Sequence, residues 1–167
     1  MHSHSYALFL SLIFTSITLF SQQSAQAQSQ TARRAARTSA APTPQSVLGF
    51  TPGTERTIAD WKDITNYFAR LDASSDRLLV RELGKSTGGR PLFVAIISAP
   101  ENICDLDKYK EIQSRLADPR KVQGEAERER LIEMGKTVVT ISCSIHSDEI
   151  VASQMCMQLA YELVAAE

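Results

Sequence analysis

Residues Ile141–Gln154 read ISCSIHSDEIVASQ. A β-branched run, TVVTISCS (Thr137–Ser144), ends just before His146, and an apolar helical pattern follows over Glu149–Ala165. The run predicts a buried strand and the later periodicity a helix that turns Ile150, Met157, Ala160, Tyr161 and Val164 to a core. In open α/β sheets, ligands gather at the carboxyl ends of strands. His146 stands at such an end and Glu149 opens the helix, so the turn can aim both side chains at one point. Imidazole nitrogen and carboxylate oxygen are good zinc donors, and a three-residue interval is short enough to close a chelate ring. A third ligand then comes from elsewhere, and the open position takes water or substrate. A second reading stays open on the same residues. Ser147 or Asp148 caps the helix, acids suit its dipole, and His146 merely ends a strand.

Upstream, Thr57–Leu71 (TIADWKDITNYFARL) carries Ile58, Trp61, Ile64, Phe68 and Leu71 at spacings of three and four, which predicts a helix capped by Thr54 or Thr57. Arg77–Leu83 and Pro91–Ser98 read as strands joined by the Gly-rich turn GKSTGGR (Gly84–Arg90). The second is almost continuously apolar, which predicts cover on both faces. The turn is not a phosphate loop, because its glycines are out of order and it leads into a strand rather than a helix. Asp105–Ala117 and Glu125–Met134 predict two more helices, the second strongly charged, solvated and closed by Gly135. The order β-β-α-α-β-α belongs to a layered α/β fold.

The beginning of the chain is different in kind. Met1–Ala27 has no charged side chain, and its apolar run Ala7–Phe20 is short against the roughly 20 residues of a membrane span. With Ala25-Gln26-Ala27 as a cleavage site, residues 1–27 read as a signal peptide, although His2 and His4 stand where Lys or Arg is usual. An uncleaved anchor is the alternative. Either way the domain is expected to be exported, periplasmic or extracellular, with no stable membrane span once the leader is removed. Residues 28–46, rich in Ala, Ser, Thr, Gln and Pro, read as a disordered linker.

A net charge of -1 over 167 residues offers no bulk attraction for nucleic acid, so no such partner is expected. Without Arg33, Arg34 and Arg37 of the linker, the domain from Val47 carries about -4. Three cysteines cannot all pair within one chain, and no C-x-x-C is present. Cys143 and Cys156 read as small buried hydrophobes, and Cys104 is open to either role.

The segment IHSDE with its following apolar helix resembles the first metal-binding motif of the zinc carboxypeptidases, the carboxypeptidase A-like metallopeptidases. LGKSTGGRPLFVAIIS (Leu83–Ser98) looks like the hairpin of that family, in which G-R-P precedes a buried strand. TIADWKDITNYFARL resembles the helix that commonly opens the catalytic domain. The resemblance covers about Phe50 to Glu167. It implies an α/β fold with a mixed, mostly parallel sheet and helices on both faces, of which residues 47–167 are the N-terminal, incomplete part.

Carried onto this chain, the resemblance makes His146 and Glu149 the first two ligands of Zn2+. Many members have Gly-Asn between them, whereas this chain has Ser147-Asp148. The family's third histidine ligand, its substrate arginines and its general-base glutamate have no counterpart here, and the other histidines, His2 and His4, lie in the leader. The implied protein is an exported zinc metallopeptidase that hydrolyses peptide bonds near a chain terminus through metal-activated water, with this chain an inactive fragment of it. The alternatives are an exported non-catalytic binding module of the same fold, or a metal-dependent amidase or deacylase. Substrate preference and oligomeric state are not legible in the sequence.

Overall fold

The computed structural model describes residues 41–146 and 148–166. The expected signal peptide 1–27, residues 28–40 of the expected linker, and the candidate cap Ser147 lie outside these residues. Packing begins ahead of Val47. Helix α1 (Pro44–Leu48) starts where the Thr43 hydroxyl accepts the N–H of Ser46, and Gly49 ends it in the left-handed region at φ 81°. Pro44 is buried, and Ala41, Val47, Leu48 and Phe50 lie against the core.

Helix α2 (Trp61–Ser74) starts later than the apolar stripe predicts. Asp60 is the N-cap: its carboxylate accepts the N–H of Asp63, and the Asp63 carboxylate accepts the N–H of Asp60. That reciprocal box satisfies two amides that the helix cannot satisfy itself, which is why the boundary sits here and not at Thr57. Ile64, Tyr67, Phe68 and Leu71 form the buried face.

Strands β1 (Leu78–Lys85) and β2 (Pro91–Ile97) pair antiparallel, with Leu78 opposite Ile97, Val80 opposite Ala95 and Glu82 opposite Phe93. The register shifts between Glu82 and Gly84, and the turn closes through Ser86 N–H to the Arg90 carbonyl (2.8 Å) and Gly89 N–H to the Ser86 carbonyl (2.9 Å). Gly89 takes φ 73°, a conformation that costs glycine nothing sterically. β2 is covered on one face only. Phe93, Ala95 and Ile97 pack on the core, while Leu92 and Val94 are exposed.

Three short helices follow: α3 (Pro100–Cys104), α4 (Leu106–Ala117) and, after a 3-10 turn at Pro119–Lys121, α5 (Glu125–Met134). Ile112 of α4 and Leu131 of α5 are buried. The Arg115 guanidinium bonds the Glu127 carboxylate between these helices, and Gln113 Nε2 donates to the Lys136 carbonyl at 2.6 Å. As the charge pattern predicts, α5 is otherwise solvated, with pairs Arg128–Glu125 and Arg130–Glu127 along its surface.

Helix α6 (Ile150–Ala165) completes the core. Met157, Ala160 and Val164 meet Ala59, the buried face of α2 and Leu78 of β1. Four aromatic rings pack where α2 meets β2: Phe93 lies 5.5 Å from Trp61 and 5.2 Å from Phe68, and Phe68 lies 5.7 Å from Tyr67. Burial, and then the nearby Tyr161, push the Tyr67 phenol well above its ordinary range, so it stays neutral. Its hydroxyl donates to the Pro42 carbonyl at 3.3 Å.

The fold is thus α/β, with helices on a small two-stranded sheet. Residues 137–144 form no strand among the described residues, and Val138, Val139 and Ile141 are exposed. A strand exists through its ladder partners. β1 and β2 pair with each other, and neither pairs with this segment. No helix among the described residues is long and apolar enough to cross a membrane.

Candidate metal centre

The turn ahead of α6 brings His146 and Glu149 together. Nδ1 of His146 lies 2.8 Å from Oε1 of Glu149, on side chains 67% and 55% exposed. A carboxylate only accepts, so the ring N–H points at it. Backbone bonds hold this arrangement. The His146 carbonyl accepts the Ser144 hydroxyl at 2.6 Å and the Glu149 N–H at 3.3 Å. Ser144 itself sits at φ 80°, a region that side-chain-bearing residues rarely occupy.

Glu149 is the N-cap residue of α6, but its side chain makes no capping bond to the helix. The carboxylate turns to the imidazole instead. Of the two caps the sequence offers, Ser147 lies outside the described residues, and the N-cap position falls on Glu149 and not on Asp148.

The donor set suits part of a zinc site. Two ligands of a tetrahedral zinc, each about 2.0–2.1 Å from the ion, stand roughly 3.3 Å apart. His146 and Glu149 would be the residues of this chain that hold the ion, through an imidazole nitrogen and a carboxylate oxygen. Among the described residues, no group of three His, Cys, Asp or Glu side chains gathers in a way that could hold a metal ion. His146 and Glu149 supply two donors.

Helix α6 is fixed from behind. Gln154 is buried, its Oε1 accepting the Gly53 N–H at 3.0 Å and its Nε2 donating to the Thr57 carbonyl at 3.3 Å. From the front, Cys143 is joined to Cys156 by a disulfide with Cα atoms 6.4 Å apart. Cys143 and Cys156, expected as small buried hydrophobes, are half-buried and bonded to each other. An odd cysteine count leaves one thiol over, and that is the exposed Cys104. The signal for the pair was its placement on either side of the motif in a chain expected to be exported. A separate surface depression lined by Asp60, Trp61, Lys62, Thr65, Arg90 and Pro91 includes neither His146 nor Glu149.

Compared with known proteins, residues 64–167 match the profile of a family described as zinc carboxypeptidase. No curated protein and no solved structure matches the chain. The matched span runs from the buried face of α2 through the hairpin to α6 and contains both His146 and Glu149. The family comprises zinc-dependent hydrolases of the carboxypeptidase type, which act on peptides. The match covers well over half of the chain, which therefore belongs to the zinc carboxypeptidase family.

Proposed function

We propose that His146 and Glu149 are two of the protein ligands of the zinc ion in a hydrolase that cleaves peptide bonds near a chain terminus. The observation that carries this reading is the 2.8 Å approach of Nδ1 to Oε1 on freely accessible side chains. A bound zinc supplies Lewis acidity toward oxygen at such a site. The chain's own residues do the positioning. Ser144 and the Glu149 amide hold the His146 carbonyl, which sets the direction of the imidazole. Glu149 makes no side-chain capping bond to α6 and keeps its carboxylate for the shared point. Exposure leaves room for a peptide and for further ligands.

Export through a cleaved leader at residues 1–27 is part of the same proposal, as is a catalytic domain from about residue 47. The Cys143–Cys156 disulfide supports export, because such bonds persist in oxidising compartments. Release of C-terminal residues from peptides by the complete gene product, with and without a chelator, tests the activity. Chelator-sensitive release that Glu149→Ala abolishes is the expected result. Release indifferent to both chelator and substitution contradicts the assignment.

A further inference from the structure

We propose that Cys143 and Cys156 are positioning residues for the metal pair, and that their disulfide holds His146 in register with Glu149. The proposal rests on the assignment of those two residues as ligands. The bond closes a ring of chain between cysteines 13 positions apart, and the ring contains both of them. Its two ends differ in how firmly they are held. Cys156 packs against the core beside Met157, which is fully buried, and α6 is also tied to Gly53 and Thr57 through Gln154. Cys143 ends a segment that has little else to hold it. Between Lys136, whose carbonyl takes the Gln113 amide, and Cys143, no backbone hydrogen bond to another element occurs among the described residues. Val138, Val139 and Ile141 are exposed, so packing does not fix it either.

Ser144 sits next to the bond. A serine at φ 80° persists where its surroundings over-determine it. Here the disulfide fixes the residue before it, and its own hydroxyl is bonded to the His146 carbonyl. The ring and the hydroxyl together set where the imidazole begins. Released from Cys156, residues 137–146 keep their covalent link to α6 only through the turn itself, and His146 samples positions away from Glu149.

The test compares the oxidised complete gene product with its Cys143→Ala/Cys156→Ala variant, which removes the bond without adding thiol ligands. Two readouts are taken: zinc affinity by titration, and, without metal, the response of the His146 ring nitrogen resonances to Glu149→Gln. The double variant is expected to keep its helical circular dichroism, to bind zinc more weakly by about tenfold or more, and to show ring resonances indifferent to Glu149→Gln. Equal zinc affinity and an equal resonance response in the two chains overturn the proposal. If the oxidised chain responds to Glu149→Gln and the double variant does not, yet neither binds zinc, the bracing stands and the ligand assignment falls. If the double variant loses its helical signal, Cys143→Ser alone, which keeps Cys156 packed, takes its place in the resonance comparison. A response there equal to that of the oxidised chain overturns the proposal.

Discussion

Gln154, in the middle of the motif helix, reaches Gly53 across 101 residues of sequence, its Oε1 accepting the Gly53 amide at 3.0 Å. The same side chain donates to Thr57. One buried amide thus fastens the helix behind the candidate metal pair to the loop that leads into α2. Gln154→Ala leaves two backbone groups without partners. A typical hydrogen bond contributes about 0.5–1.5 kcal/mol, so loss of both should lower the urea midpoint. An unchanged midpoint means that water reaches these groups and that the helix is held otherwise.

Two apolar substitutions separate the core from the uncovered segment. Leu71 is fully buried, whereas Val139 is 77% exposed. Leu71→Ala is expected to destabilise by about 2–5 kcal/mol. Val139→Ala should stay within about 0.5 kcal/mol of the parent. Thermal or urea unfolding reads both. A large loss from Val139→Ala places residues 137–144 inside a packed sheet and refutes their description as uncovered.

The α4–α5 pair should be acid-sensitive. The Gln123 N–H and then the Arg115 guanidinium hold the Glu127 carboxyl below its ordinary range. A carboxyl depressed in the folded state stabilises wherever the unfolded chain would bind more protons. Its contribution is complete above the ordinary glutamate value of about 4.3 and disappears as pH falls through the lower folded value. Glu127→Gln should therefore lower stability at pH 7 and lose its effect in strongly acid solution. A penalty that is equal at pH 7 and pH 2.5 assigns the role of Glu127 to shape instead of charge.

The hairpin, the two middle helices and the motif helix were legible because their signals are local. GKSTGGR is rich in turn formers, and Gly135 marks the end of α5 because glycine is a poor helix residue. The start of α2 was misjudged for a local reason too: Asp60 and Asp63 form a capping box with two aspartates, while the apolar stripe begins earlier. The missing strand and the disulfide are different. TVVTISCS has the composition of a strand, but a strand needs a neighbour, and pairing is a property of the sheet. Cys143 and Cys156 look like core residues until helix α6 folds back and sets their Cα atoms 6.4 Å apart. Of the candidate site, spacing and the resemblance single out His146 and Glu149, and the fold brings the two side chains together. Spacing alone does not say whether the imidazole meets the carboxylate, because that depends on the path of the turn between them.

Zinc titration of the full-length chain, the parent beside His146→Ala and Glu149→Ala, tests the central claim most directly. The account predicts that each substitution weakens binding by at least about tenfold while the helical circular dichroism is kept. Zinc affinity that is the same in all three chains would contradict it.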